Sequence, residues 1–263
     1  MVLTKRHLAI GGVLVLVLLS ALVEFLVSER SVVASAATRE LPIYCVESEQ
    51  PRVALTFDAA WGAEDTQILI DELAKYGAKA TFFVVGEWVD KYPDAVRSLH
   101  VAGHSVMNHS DTHPHMTQLS KEGILKEANL ACDKIERITG IRTDLLRVPY
   151  GDYNDTVVKT LREGGYQVIQ WDVDSLDWKD LSANEIYDRV TEKVKSGSIV
   201  LFHNAAKHTP EALPMILEDL SQKGYEFVTV GDLILQENYY IDHTGKQIST
   251  ADKNGMNGEQ GRG

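Results

Sequence analysis

The sequence of 263 residues lacks the short motifs of several large enzyme classes. It has no G-x-S-x-G turn for a nucleophilic serine, no phosphate-binding glycine loop and no H-E-x-x-H helix. Only two cysteines occur, Cys45 and Cys132, which cannot form a zinc knuckle and whose spacing does not show whether they pair. Basic residues are also few, with 26 Lys and Arg against 38 Asp and Glu and a net charge of -12. Because nucleic-acid binding relies on clustered Lys and Arg, a nucleic-acid partner is not expected.

Long hydrophobic runs are absent except at the N-terminus. There Lys5 and Arg6 precede an apolar run from Leu8 to Val23, and the small residues 34–36 fit a signal-peptidase site. The run is long for a signal peptide, whereas Glu24 is unfavourable within a membrane span. Residues 1–36 are therefore predicted to be a signal peptide or a signal anchor. Both place the rest of the chain outside the cytoplasm, and the anchor would add contact with the membrane.

The rest of the chain divides into three parts by composition. Residues 37–50 are mixed and polar and are interpreted as a linker, and the Gly- and Asn-rich residues 236–263 as a disordered tail. Within residues 51–235, strands are predicted at 53–57, 80–85, 105–108, 145–148, 168–173, 198–203 and 227–230. Helices are predicted between them at 67–76, 92–102, 120–140, 155–163, 183–195 and 211–222.

This alternation requires parallel strands joined by crossover helices. About seven strand–helix units predict an α/β fold, a closed or nearly closed (β/α) barrel. A doubly wound sheet is the alternative, and the lack of a G-x-G-x-x-G motif after the first strand counts against it.

Side chains that could take part in catalysis lie where the apolar strands end. Asp58 ends the first strand and is a candidate general base, and His203 ends a later strand and is a candidate general acid. Arg147 could pair with a buried carboxylate and keep it ionised, and the P-Y-G turn after it could offer backbone N–H groups to an oxyanion. In a barrel these strand ends face one mouth. Each stretch taken alone also fits a structural role, such as a helix cap or a core histidine.

Two further stretches carry candidate residues. In N-H-S-D-T-H-P-H-M, His109 and His113 have the i, i+4 spacing of one helical face and could both reach one metal ion. Pro114 is expected to direct His115 away from that pair. In W-D-V-D-S-L-D-W, one of three aspartates could orient a histidine, and Trp178 could form the wall of a small apolar pocket.

Taken in order, T-F-D-A-A-W-G, H-S-D-T-H, R-V-P-Y-G, D-S-L-D-W and L-F-H resemble the five motifs of the polysaccharide deacetylases. This family is also called carbohydrate esterase family 4, or the NodB homology domain, and the resemblance covers about Arg52 to Val230. It implies a distorted (β/α) barrel of seven or eight strands and removal of acetyl groups from a glycan. The stretch L-F-H-N-A-A-K-H-T-P-E-A-L-P resembles the branch that includes sporulation-associated peptidoglycan deacetylases of Gram-positive bacteria.

The resemblance also implies a role for individual residues. Asp58 matches the catalytic base, Arg147 the arginine that holds it, and His109 and His113 the metal-binding histidines. Asp177 would tune His203, the matching general acid, and the backbone N–H of Tyr150 would donate to the oxyanion. Trp178 and Leu201 would line the pocket for the acetyl methyl group.

One position departs from the family pattern. The usual first motif reads T-F-D-D-G, and its second Asp is the third protein ligand of the metal, whereas this chain has Ala59. The resemblance implies a divalent metal ion, zinc in the first instance, which would then have two histidine ligands and no matching carboxylate. Asp58, a water molecule, or Glu64 or Asp65 folded back onto the site are the alternatives for the third place.

The main hypothesis is therefore an extracytoplasmic hydrolase that removes acetyl groups from a cell-wall glycan, with N-acetylated peptidoglycan as the substrate and sporulation as a possible setting. Ala59 motivates an alternative, a glycan-binding or spore-assembly protein whose catalysis has decayed. An O-acetyl esterase acting on another wall polysaccharide is the nearer enzymatic alternative.

Overall fold

The computed structural model describes residues 39–251 together with Leu19. The chain divides into two units, Met1–Arg39 and Glu40–Gly263, and the strands and helices given below belong to the second. The predicted signal segment, residues 1–36, lies outside the described residues apart from Leu19. None of the helices within the described part of the chain is long and apolar enough to cross a membrane.

The second unit contains short strands separated by helices. Its strands are β1 (Cys45–Val46), β2 (Arg52–Ala59), β3 (Thr81–Val84), β4 (Ser105–Asn108), β5 (Leu145–Leu146), β6 (Gln167–Val168), β7 (Val173–Asp174), β8 (Ile199–His203), β9 (Glu226–Phe227), β10 (Tyr239–Ile241) and β11 (Lys246–Ser249). Seven of them form a curled parallel sheet in the order β6-β5-β4-β3-β2-β8-β7, and β9 pairs in parallel with the start of β2. The predicted distorted (β/α) barrel of seven or eight parallel strands is therefore confirmed.

Helices connect the strands and pack against the sheet. They span Thr66–Lys75, Gly86–Lys91, Pro93–Val101, Lys121–Thr139, Asp155–Glu163, Ala183–Thr191, Thr209–Gln222 and Val230–Leu233. The longest begins at Ser120, whose hydroxyl oxygen accepts a hydrogen bond from the Gly123 N–H, and it ends at Gly140 with φ of 74°. These are the capping signals that predicted its bounds. The helix Gly86–Lys91 was not predicted, because six residues are too few to show a helical period.

Strand β2 lies inside the sheet, between β3 and β8, and is buried on both faces. Phe57 stacks against Phe82 and Phe202, with ring centroids 4.8 Å and 5.3 Å away, in the apolar cluster that packs against the helices. Because side chains alternate along a strand, Thr56 and Asp58 lie on the opposite face from Phe57. Burial of both faces explains why the strand reads as an apolar run.

The predicted linker at residues 37–50 is wrong for its C-terminal half. Ile43 and Val46 are buried, the Ile43 N–H donates to the Val168 carbonyl at 2.9 Å, and the Ile43 carbonyl accepts from the Gln170 N–H at 2.7 Å. The segment therefore pairs beside β6, at one edge of the curled sheet. Its apolar residues are too few to produce a period in the sequence.

The predicted disordered tail at 236–263 is wrong as far as Ala251. β10 and β11 form an antiparallel hairpin, and β11 pairs in parallel with β1, which gives a three-stranded sheet. The polar composition belongs to the hairpin turn, where the Asp242 carboxylate accepts the N–H groups of Thr244 and Lys246 and Gly245 has φ of 86°. Residues 252–263 lie outside the described part of the chain.

Several predicted strands are shorter in the structure: 80–85 is observed at Thr81–Val84, 145–148 at Leu145–Leu146 and 198–203 at Ile199–His203. The predicted strand 168–173 is interrupted after Val168 and resumes at Val173, and the predicted strand 227–230 ends at Phe227. In the interruption, the carbonyl of Gln170 accepts a hydrogen bond from the side chain of Arg147 instead of from a neighbouring strand.

Candidate active site

A cavity of about 480 Å³ lies at the carboxyl ends of the central strands. Its lining residues are Asp58, Ala60, Trp61, His109, His113, Tyr150, Gly151, Trp171, Asp174, Trp178, Leu201 and His203. The parallel pairing of β2 with β8 places Asp58 and His203 side by side. Of the residues predicted for the site, all line this cavity except Arg147 and Asp177, which lie directly behind Asp58 and His203.

Asp58 is held by a buried arginine. Arg147 Nη1 donates to Asp58 Oδ1 at 2.7 Å and to Thr56 Oγ1 at 2.8 Å, and Nη2 donates to the Gln170 carbonyl at 3.2 Å. The guanidinium also lies 4.3 Å from the centre of the Phe83 ring. Burial alone raises the pKa of Asp58, but the charge of Arg147 and smaller contributions from His109 and His203 outweigh it and hold that pKa below its ordinary value. Asp58 is therefore ionised at neutral pH.

His109 and His113 are brought together by a loop, so the predicted helical face is wrong. His109 directly follows β4, and His113 has φ of 59° in the loop beyond it. The loop is fixed by Ser110, whose hydroxyl oxygen accepts the His113 N–H at 3.0 Å and whose own N–H donates to the side chain of Asn108. The two imidazole rings end with centroids 4.9 Å apart. His115 stacks instead on the ring of Tyr150 and lies outside the cavity lining.

His109 and His113 are both neutral imidazoles at neutral pH. His109 Nδ1 lies 2.8 Å from the Arg147 carbonyl, which can only accept, so Nδ1 carries the proton and Nε2 keeps its lone pair. That Nε2 lies 3.5 Å from Asp58 Oδ2. Burial lowers the pKa of His109 despite the neighbouring Asp58, and burial together with His109 lowers the pKa of His113 to about 4.

The residues present do not complete the three-ligand metal site that the family resemblance implies. Ala59 is fully buried in the apolar cluster that contains Phe57, on the opposite face of β2 from Asp58. Asp65 does not fold back towards the histidines, because its Oδ2 accepts the Ala205 N–H at 2.8 Å. Within residues 39–251, no three His, Cys, Asp or Glu side chains form a group that could hold a metal ion.

His203 is oriented by a buried carboxylate. Its Nδ1 lies 2.8 Å from Asp177 Oδ1, and Asp177 Oδ2 accepts the His203 backbone N–H at 2.8 Å and the Thr209 hydroxyl at 2.7 Å. Burial by itself lowers the pKa of His203, but the hydrogen bond and charge of Asp177 outweigh it and raise that pKa above its ordinary value. Because Nδ1 is paired with Asp177, Nε2 is the ring nitrogen that can interact with a group bound in the cavity.

The remaining predicted residues form one wall and the mouth of the cavity. Tyr150 lies in the P-Y-G turn with φ of 60°, and its ring centroid is 4.5 Å from that of His113. Leu201 is buried and Trp178 is exposed, so the apolar wall runs from the interior to the mouth.

Sequence reasoning missed Asn204, which joins the first and last motifs. Its side-chain amide accepts the Ala60 N–H at 3.2 Å and donates to the Gly62 carbonyl, and its backbone N–H donates to the Asp58 carbonyl at 3.1 Å. The partners are 142 and 144 residues away along the chain, so no local pattern could have revealed them. Trp61, between those two partners, was also missed, although a Trp three residues after the candidate base Asp58 was visible in the sequence.

Comparison with known proteins agrees with this geometry. Residues 46–169 match the family model described as polysaccharide deacetylase. The peptidoglycan-N-acetylmuramic acid deacetylase PdaC of Bacillus subtilis is 38% identical over 72% of this chain and 40% of its own length. Its solved structure covers 72% of this chain and 92% of that chain, with a TM-score of 0.66. The chain belongs to the polysaccharide deacetylase family, carbohydrate esterase family 4, although its match spans less than half of the length of PdaC.

Similarity extends to a family member described as a pseudoenzyme. A solved structure of a carbohydrate esterase family 4 pseudoenzyme from Bacillus anthracis is 33% identical and covers 74% of this chain and 69% of that chain, with a TM-score of 0.71. A mutant of that pseudoenzyme with restored enzymatic activity is 34% identical, covers 74% of this chain and 71% of that chain, and has the same TM-score of 0.71. Family membership therefore does not by itself establish catalysis, and the side chains in the cavity carry that argument.

Proposed function

We propose that this protein is an extracytoplasmic hydrolase that removes acetyl groups from N-acetylated peptidoglycan. The observation that carries the proposal is the pairing of an ionised Asp58, held by Arg147, with a His203 whose proton is stabilised by Asp177. A base and an acid on neighbouring strand ends are the two groups that amide hydrolysis needs. The peptidoglycan deacetylase names of the relatives support the substrate, the N-terminal apolar segment supports the location, and the motif branch supports a role in sporulation.

The proposed reaction uses groups of this chain in sequence. Asp58 takes a proton from a water molecule, whose oxygen forms a bond with the acetyl carbonyl carbon. The carbonyl oxygen becomes an oxyanion that accepts a hydrogen bond from the Tyr150 backbone N–H. His203 then donates its proton to the nitrogen as the carbon–nitrogen bond breaks, which leaves acetate and an amino sugar. Leu201 and Trp178 would contact the acetyl methyl group.

Zinc is the metal that the family resemblance suggests for the His109–His113 pair. Because the three-ligand site is incomplete in this chain, none of these steps is assigned to a metal ion.

Acetate release from the purified full chain tests the proposal. Peptidoglycan and N-acetylglucosamine oligomers should yield acetate, and Asp58→Asn, which keeps the size of the side chain but removes its charge, should abolish the release. Asp94→Asn is a matched control, because the Asp94 side chain is 95% exposed on a helix surface. Activity that survives in Asp58→Asn would contradict the mechanism, and preference for O-acetylated xylan over N-acetylated substrates would instead favour an esterase.

Ala59 favours one other candidate, a glycan-binding or spore-assembly protein with weakened catalysis. The similarity to a pseudoenzyme with the same fold supports this alternative. Binding of peptidoglycan by a wild-type protein that releases no acetate, with or without added zinc, would favour it over the hydrolase.

A further inference from the structure

A second cavity of about 320 Å³ adjoins the candidate active site. The two cavities share Trp61, Trp178 and His203 in their walls, and the second is also lined by Asp177, Asp180 and residues 204–207. None of the residues that it adds, apart from Asp177, has a place in the proposed reaction. A glycan chain extends beyond the sugar that reacts, so a connected compartment beside the acid His203 has the position expected for a neighbouring sugar.

Trp61 provides a rigid apolar surface between the two cavities. The residue is 56% exposed, although large apolar groups usually lower their free energy by burial. The backbone on both sides is fixed, because the Ala60 N–H donates to Asn204 and the Gly62 carbonyl accepts from Trp88 Nε1 at 2.9 Å. The ring lies 6.0 Å from that of His203, centroid to centroid. An exposed ring on an immobile backbone is a preorganised platform, which lowers the entropic penalty of binding.

Lys207 supplies a positive charge on the wall of the second cavity. It is exposed and makes no ion pair with any side chain in residues 39–251. Asp177 and Asp180 line the same cavity, but the Asp177 carboxylate is buried and paired with His203 and Thr209. An anionic group bound there would therefore be directed towards Lys207 and away from Asp180. The chain has a net charge of -12, which repels anionic ligands in general. The positive charge of Lys207 favours an anionic ligand locally, in the second cavity.

We propose that the second cavity is a subsite for the sugar next to the acetylated one, and that this sugar carries a carboxylate. Its ring would stack on Trp61 and its carboxylate would pair with Lys207. Both the lactyl group of muramic acid and an attached stem peptide supply a carboxylate, so the shared chemistry is an anionic glycan of at least two sugars. The inference rests on the proposed function, because the subsite is defined relative to the acetylated sugar that reacts in the first cavity.

Equilibrium binding to the full-length protein tests the subsite without requiring turnover. The ligands are neutral chitotetraose, a peptidoglycan tetrasaccharide with free lactyl groups, and the same tetrasaccharide with stem peptides. Trp61→Ala should weaken the binding of all three about tenfold, or about 1.4 kcal/mol, and Trp61→Phe should restore most of it. Lys207→Ala should weaken the binding of the anionic ligands only, by about two- to fivefold in a low-salt buffer of ~25 mM. About 0.5 M NaCl should remove that difference, because salt screens the interaction between exposed charges.

Lys159→Ala is the matched control, since Lys159 is exposed on the helix Asp155–Glu163, away from both cavities. Where wild-type turnover is measurable, Trp61→Ala should raise KM for the tetrasaccharides with little change in kcat. An effect of Lys207→Ala confined to the peptide-free ligand assigns the carboxylate to the lactyl group, and one confined to the peptide-bearing ligand assigns it to the peptide.

Equal affinity of wild type and Trp61→Ala for all three ligands would overturn the subsite, whether or not acetate is released. Equal losses for neutral and anionic ligands in Lys207→Ala would overturn the carboxylate assignment. If the wild type releases no acetate but binds through Trp61 and Lys207, the subsite stands and the hydrolase proposal fails.

Discussion

Replacing Arg147 by methionine should destabilise the protein strongly at neutral pH. The guanidinium is completely buried and is the main positive charge that compensates Asp58, whose side chain is 8% exposed. Breaking a buried ion pair by removing one partner costs about 3–5 kcal/mol, because the remaining charge is left without a partner. The same change removes donors to the Thr56 hydroxyl and the Gln170 carbonyl. The apolar methionine still fills space against the ring of Phe83.

The loss of stability should depend on pH in a defined direction. In the wild type the pKa of Asp58 lies below its unfolded value, so the ionised pair stabilises the fold above about pH 4 and this contribution is lost as pH falls through the lowered pKa. Without Arg147, burial becomes the dominant effect and raises the pKa of Asp58 above its unfolded value. The difference in unfolding free energy between wild type and Arg147→Met should therefore be largest at neutral pH and should shrink as pH falls towards about 4.

Urea denaturation of the full chain at pH 7.5 and pH 4.5 measures both effects, because these values lie about 3.6 and about 0.6 pH units above the ~3.9 of an unperturbed Asp. Arg137→Met is the control, because the Arg137 side chain is 66% exposed and its pairing with Asp90 should contribute less than about 1 kcal/mol. The double variant Asp58→Asn/Arg147→Met should be more stable than Arg147→Met, since it removes the orphaned charge as well. A loss below about 1 kcal/mol at neutral pH, or the same loss at both pH values, would refute the reasoning.

Three further predictions concern the remaining groups of the site. Asp177→Asn should lower the pKa of His203, because the effect of burial then dominates. The high-pH limb of the profile of kcat against pH should therefore move to lower pH, and an unmoved limb would argue against His203 as the acid. Asn204→Ala should lower the unfolding free energy by about 1–3 kcal/mol and increase the mobility of Trp61 seen in its fluorescence anisotropy, whereas unchanged anisotropy would show that other contacts hold the loop. Desalted wild-type protein should carry substoichiometric zinc by elemental analysis, because two imidazoles make a weak site; a full equivalent would show that another side chain completes it.

The strands and the site could be predicted from sequence wherever the information is local. β4 and the helix Asp155–Glu163 have the predicted bounds, because apolar runs and capping residues lie within the segments themselves. Strand ends were recognisable as well, and parallel pairing then brought Asp58, Arg147 and His203 to one mouth.

What depends on distant pairing could not be predicted. The strand β1 is stabilised by β11 at the other end of the chain, and neither has enough apolar residues to be recognised alone. The i, i+4 spacing of His109 and His113 predicted a helix. A loop that contains left-handed residues brings two rings with the same spacing together, and the spacing alone does not distinguish such a loop from a helix.

The direct pairing of Asp58 with His203 has a consequence for how this site can diverge. Neighbouring parallel strands lie about 4.8 Å apart, so the separation of the proposed base and the proposed acid is set by backbone hydrogen bonds of the barrel. The groups that would contact a glycan, Trp61, Tyr150 and Trp178, follow the strand ends in turns and loops. Substitutions in those loops can therefore change which polymer is bound while the distance between Asp58 and His203 stays constant.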